Sequence, residues 1–384
     1  MAKRAGVSDA TQPPAPPCPR RPPRPTRART ASDKSRSPDV WWRTTLLIVA
    51  AAVAVVPLPR ALVEQHYSSR LFPVLQHWAT DLSNSIGFAL FDVLLVGAAL
   101  WWVGALLIDL AGRRPFPRVF LRILVRTITG AAIVYLAFAA MWGLNYRRMP
   151  LTARIKFDER AITPGASRDL VRRAADEVNA RYADAHSELA QTGGGPGRGL
   201  ESGFAAAQGA LRIERPAIPA RPKWTLLDPY FRAAGIDGMT DPFFLESLVV
   251  GGLLPFEEPF VIAHEWSHLA GFTDEGEANF VGWLTCLRAS DAAKYSGWLF
   301  LYSQAIASLP ANERDAVEDR LLPGPRRDLE QIAERVKREV RPRVSAAGWR
   351  VYDQYLKANR VEAGTASYAQ VVRLVLGSRS AGLF

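Results

Sequence analysis

The sequence predicts a membrane-anchored, mainly α chain: three N-terminal transmembrane helices followed by an α+β domain with a small sheet. Three observations predict it. Long apolar runs dominate residues 40–147, arginines cluster beside those runs, and the remainder alternates amphipathic helical patterns with short β-rich runs bounded by Gly and Pro.

Each element follows from its composition. Of the 384 residues, 48% are hydrophobic, enough for one sizeable core and membrane segments besides. Residues 1–39 are rich in Pro, Arg, Ala and Ser with almost no large apolar side chains, and read as a disordered basic cytoplasmic tail. The first span, about 40–58, reads VWWRTTLLIVAAAVAVVPL, with Trp41 and Trp42 where interfacial aromatics belong. A cleaved signal peptide fits less well, because the preceding basic region is far too long and no small-x-small site follows. The second span, about 86–110, and the third, about 123–144, are each long enough to cross about 30 Å of hydrocarbon.

Orientation follows from the cations. Arg113, Arg114, Arg118 and Arg122 fall between spans two and three, and with the tail they place both segments in the cytoplasm. Residues 148–384 are then extracytoplasmic, although Arg147 and Arg148 argue weakly the other way. Asp92 sits near the outer end of span two, where water or headgroups reach it, and reads as an ordinary boundary residue rather than an intramembrane functional acid.

A net charge of +11 raises nucleic acid as a partner, but no basic helix, aromatic-rich strand motif or zinc-finger spacing accompanies it, and nucleic acid is excluded on that ground. The partner the charge does fit is the lipid bilayer. Cys18 and Cys286 are the two cysteines, one in the tail and one in an apolar helical pattern, which leaves neither a disulfide framework nor a thiolate metal site. Within 148–384, Ser167 to Leu189 has helical spacing and the glycine-rich run from Thr192 ends it. Lys223 to Leu227 and Phe243 to Leu254 are expected as strands, with helices from there to the end.

The chemistry centres on PFVIAHEWSHLAG, from Pro259 to Gly271. Proline at a first helical position, glycine at the C-cap and Glu257 and Glu258 at the N-terminus predict a helix independently of any motif. His264 and His268, four residues apart, then project from one face and both imidazoles reach one ion. Glu265 reaches the water on that ion. This is the HExxH arrangement of a Zn2+ hydrolase, in which the metal acidifies water and polarises a carbonyl while the glutamate transfers the proton. Three acids compete as third protein ligand. Asp274 completes HExxHxxGxxD, Glu275 forms ExxxN with Asn279 as a supporting amide on the same helix face, and Glu277 has only Val281 one turn on. The expectation is Glu275, with Glu277 and Asp274 as alternatives. FFLESLVVGGLLP is a candidate sheet edge for a peptide, Gly251 and Gly252 permitting close approach, and Tyr352, Tyr355, Asn359 and Tyr368 are candidate stabilisers of an oxyanion.

LLPFEEPFVIAHEWSHLAGFTDEGEANFVGWLTC, together with YDQYLKANRVEAGTASYAQVV near the C-terminus, resembles a bacterial membrane-protein family of unknown function, DUF3810, whose members look like zincin-type metallopeptidases. The resemblance implies a zincin-like domain, a place in the bacterial cytoplasmic membrane, and motif positions at His264, Glu265, His268 and Glu275. ExxxN is also similar to the ExxxD pattern of membrane-linked gluzincins, with Asn279 in place of aspartate. The expected activity is zinc-dependent hydrolysis of an amide bond in a peptide or envelope-derived substrate. A non-catalytic zinc-containing membrane sensor or scaffold, or a non-peptidase zinc hydrolase, are the alternatives.

Overall fold

The structure is a computed structural model that describes residues 38–112, 115–192, 199–359 and 370–384. Most of the expected basic tail lies outside these residues. The chain divides into a unit ending at Thr44 and a second from Thr45 to Phe384. In the first, the Arg43 guanidinium lies 5.3 Å from the centre of the Trp42 ring.

Helix α1, Pro38–Val55, stops where Pro57 and Pro59 enter the sequence, because proline lacks the amide a helix interior needs. The chain then turns through 110° into the helix Arg60–Asn84, made of α2 (Arg60–Leu62), a π-helical stretch Val63–Leu71 and α3 (Phe72–Asn84). Two further helices, α4 (Leu90–Ala111) and α5 (Phe116–Met141), are each long and apolar enough to cross a membrane. The bent pair adds a third crossing only if both halves are one span. The expected first span of 40–58 is therefore corrected: its helix ends at Val55 and a bend follows.

The span expected at 123–144 also starts earlier, at Phe116, and ends at Met141. Arg118 and Arg122, expected in the loop, are helical. The reason is Asp109 near the end of α4, which accepts from Arg126 at 2.6 Å and Arg122 at 3.3 Å, so arginines one helical turn apart are held on one face. Arg147 and Arg148 likewise have local work. Arg147 donates to the carbonyls of Val53 and Val56 at the end of α1, and Arg148 serves the candidate metal centre described below.

Beyond Met141 the chain forms a mainly helical domain. Helix α6 (Pro164–Thr192) is followed by α7 (Leu200–Ala210), strand β1 (Pro222–Lys223), α8 (Asp228–Ala234), β2 (Gly238–Thr240) and β3 (Ser247–Val249). Then come α9 (Glu258–Leu269), α10 (Glu275–Cys286), α11 (Asp291–Ala307), α12 (Ala311–Glu318), α13 (Pro323–Glu339), α14 (Pro342–Ala358) and α15 (Gln370–Gly377). The sheet runs β1-β3-β2, with β1 parallel and β2 antiparallel to β3. Its core neighbours are α9 and α10, and α11 closes the far side against α6.

Both expected strands are much shorter. Asp241 accepts from the amides of Phe243 and Phe244, a side-chain turn that competes with strand pairing, and Leu245 sits at φ 53°. Only Ser247–Val249 of the expected 243–254 strand pairs, and only Lys223 of 223–227. The sheet is tied to α4 by a buried network. Lys223 Nζ bonds Glu246 Oε1 at 2.7 Å, and Glu246 accepts from the amides of Leu90 (3.0 Å) and Phe91 (2.9 Å), a carboxylate at the positive end of α4. Asp92, one residue on, holds the neighbouring loop through Thr225 Oγ1 (2.7 Å) and the amide of Leu226 (2.8 Å).

Candidate metal centre

Helix α9 begins as its sequence dictates, with Pro259 in the first turn, and ends at Gly271, whose φ of 80° suits a residue without a Cβ. A Cβ there would also lie 2.9 Å from an Arg148 nitrogen. Arg148 explains the crowding. Its guanidinium donates to the carbonyls of Ala270 (3.2 Å) and Gly271 (2.9 Å), completing the helix end, and to both oxygens of Glu64 (3.0 and 2.8 Å). Glu64 lies in the π-helical stretch, so the end of α9 is braced from the membrane-proximal helix.

On α9, His264 Nε2 and His268 Nε2 are 3.2 Å apart, and Glu275 Oε2 lies 3.3 Å from the first and 3.5 Å from the second. Among the described residues, these three form the one group of His, Cys, Asp and Glu close enough to share an ion. The spacings decide what fits: three ligand atoms about 2.0 to 2.1 Å from a tetrahedral zinc lie about 3.3 Å from one another. No hydrogen-bond donor is aligned on Glu275 Oε2, although Glu275 is 2% exposed, and a buried oxygen without a donor is what a cation would satisfy. The residues present fit zinc.

The electrostatics agree. Burial opposes ionisation of Glu275, but the two imidazoles outweigh it and hold the carboxyl well below the usual range. Burial would also discharge His268; the Glu275 carboxylate outweighs it and pushes the imidazole up to about 9. His268 Nδ1 lies 2.7 Å from the Phe272 carbonyl, which fixes Nδ1 as the protonated nitrogen and leaves Nε2 facing the cluster.

The other two acids are engaged elsewhere. Asp274 is the N-cap of α10 and accepts from the Glu277 amide (3.1 Å). Glu277 accepts from the Leu151 amide (2.6 Å), and burial lifts its carboxyl to about 7. Asn279 is buried one turn beyond Glu275, but the bond that orients His268 comes from Phe272 rather than from this amide.

Glu265 lies beside the cluster, buried, with its carboxyl raised by burial. Thr240 Oγ1 is 2.8 Å from its Oε2, and Gly238 leaves room that a Cβ, 2.7 Å from Oε1, would take. Both belong to β2, the sheet's edge strand next to α9. Sequence reasoning missed this strand, since Gly-Met-Thr between two aspartates reads as a turn. Of the expected oxyanion candidates, Tyr352 is at the site and donates to Glu275 Oε1. Tyr355 stacks on it with centroids 5.9 Å apart, and Asn359 bonds the Tyr355 carbonyl at the end of α14. Tyr368 lies outside the described residues.

No curated protein and no solved structure matches the chain. A family model described as a protein of unknown function, DUF3810, matches residues 67–376, a stretch that holds the bent helix, both long apolar helices, the sheet and every residue of the candidate centre. The chain belongs to the DUF3810 family.

Proposed function

We propose that this protein is a zinc-dependent amide-bond hydrolase of the HExxH type, a membrane-anchored metallopeptidase with a zincin-like domain. His264, His268 and Glu275 are its protein ligands and Glu265 its general base. The observation that carries the reading is the triangle of ligand atoms with 3.2, 3.3 and 3.5 Å sides, placed next to a buried carboxylate. Three protein ligands match a catalytic site with an open position, whereas structural zinc sites are closed by four.

Bound zinc supplies Lewis-acid polarisation of a carbonyl and brings the pKa of coordinated water to about 7. The chain supplies the rest. Glu265, whose proton affinity burial has raised, takes a proton at one carboxylate oxygen and returns it to the leaving amine, and Thr240 keeps the carboxylate turned to the cluster. Tyr352 fixes Glu275 through its second oxygen, leaving Oε2 for the ion. The free edge of β2 lies where an extended peptide would pair beside Glu265.

With α1 and its bent continuation counted as one span, the chain crosses the bacterial cytoplasmic membrane three times, and basic residues on the cytoplasmic side put the catalytic domain outside. The deciding experiment is zinc content and peptide turnover of the full chain and of Glu265→Gln in detergent. Retained zinc with turnover lower by about a hundredfold or more supports the reading. Undiminished turnover, or no zinc in the parent protein, overturns it.

A further inference from the structure

The candidate centre stands at the end of an apolar helix. Met141 is the last residue of α5, and Trp142, the next, donates its indole N–H to the His268 carbonyl (3.2 Å) and meets the His268 ring edge-on at 6.1 Å. One turn earlier Phe138 packs on Tyr355 (6.1 Å), which stacks on Tyr352, the donor to Glu275. Two of the three candidate ligands are therefore buttressed by the last turn of α5.

Beside Met141 lies a groove of about 900 Å³, walled by Trp78 and Leu82 of α3 and by Phe243 and Phe244. Trp78 and Leu82 are 75% and 55% exposed, and Phe243 stacks on Phe91 at the start of α4, with centroids 6.3 Å apart. The groove is thus bounded by the end of one long apolar helix and the beginning of the other, and its mouth is apolar. Both walls lead to the chemistry. Met141 precedes the tryptophan that touches His268, and Phe243 follows by three residues the Thr240 that holds Glu265. Three extended residues span about 10 Å.

We propose that the substrate is a membrane-inserted polypeptide whose apolar segment docks in this groove, presenting to Glu265 a bond a few residues from that segment. The proposal rests on the metallopeptidase reading. The size of the groove favours a polypeptide, since about two turns of a helix about 10 Å across fill that volume, whereas a single acyl chain does not. Its continuity with the β2 edge favours the same occupant, because one chain then lies on both surfaces.

The test separates docking from cleavage. The full-length Glu265→Gln protein in phosphatidylethanolamine/phosphatidylglycerol nanodiscs is irradiated with a synthetic peptide bearing an apolar helical segment, a benzophenone in its last turn and a polar tail. Mass spectrometry is expected to place crosslinks on Trp78, Leu82 and Phe243–Phe244, and Leu82→Glu or Trp78→Glu, both at exposed positions, to reduce them at least tenfold. Crosslinks elsewhere or unchanged by these substitutions overturn the proposal, as does a benzophenone phospholipid that labels the groove and is not displaced by the peptide. With active protein, the anchored peptide is expected to be cut at least tenfold faster than its tail alone, within about five residues of the apolar segment. Equal rates overturn docking and spare the peptidase; groove crosslinks with no cleavage of any peptide sink the peptidase and spare the groove.

Discussion

Helix α4 has one side chain buried by the protein, that of Asp109, whereas all twelve residues of α10 are buried, Glu275 and Glu277 among them. Both helices are predominantly apolar, so composition alone does not separate them. Their surroundings do. The exposed leucines, valines and tryptophans of α4 call for lipid, and its lone buried charge is met by two arginines of α5. The charges of α10 sit in protein on every side and need an N–H, a hydroxyl or an ion. Burying a carboxylate is costly, and the contrast shows where this molecule accepts that cost: where carboxylates face histidines.

The contrast breaks most visibly if the acids of α10 are interchangeable. Glu275→Ala is expected to purify largely free of zinc, while Asp274→Ala and Glu277→Ala keep close to the parent's content by elemental analysis. Zinc lost from either of the latter, with Glu275→Ala still loaded, reassigns the third ligand.

Next in size is the brace between the two regions. Glu64→Ala leaves the Arg148 guanidinium, 6% exposed, with its charge unpaired, and a buried pair broken on one side costs about 3 to 5 kcal/mol. The thermal midpoint in detergent should fall by several degrees. In comparison, Arg168→Ala removes a surface pair with Glu313, both partly exposed, and should shift stability by at most about 1 kcal/mol. Equal losses from the two variants would show that the brace carries no special weight.

A third comparison uses pH. Burial raises the Asp241 carboxyl from 3.8 to about 7, so folding favours its neutral form. The unfolded chain releases that proton near pH 4 and the folded one near pH 7. This group's contribution is therefore full below about pH 4, is lost as the pH rises to 7, and is flat above; the span is a few kcal/mol at most. Asp241→Asn should flatten the pH dependence of the unfolding midpoint between 4 and 7. A slope unchanged in the variant assigns it to other groups.

The smallest effect sharpens the division of labour among the acids. Asp274→Ala removes the N-cap of α10, at a cost of about 1 kcal/mol, with zinc retained. A larger loss accompanied by zinc release would show that the cap and the ligand act as one unit.

What could be read from the sequence was local. Helix α9 was legible to within a residue or two because proline, glycine and the flanking glutamates mark its ends, and the histidine spacing needs nothing but the helical repeat. Glu275 was legible through its place at the start of the next helix. The partners that complete the site were not. Thr240 is 25 residues before Glu265 and Tyr352 is 77 after Glu275, separations over which periodicity carries no information. The start of α5 was misjudged because arginines read as loop, and only the position of Asp109 on the neighbouring helix shows why they are helical.

The brace at Arg148 also has a meaning in time. Synthesis runs from the N-terminus, so Glu64 emerges first, then both long apolar helices, then Arg148, and His264 more than a hundred residues after that. The last turn of α9 is finished by the first two of these, and α3 supplies further bonds that the later domain needs, from Gln76 to Ile218, Thr80 to Leu245 and Ser83 to Glu246. A nascent chain whose apolar helices have not yet been inserted has no completed support for its histidine helix. The molecule thereby postpones its own competence until it has arrived, and a fragment begun after α5 to obtain a soluble domain would carry the histidines without the scaffold that times and shapes them.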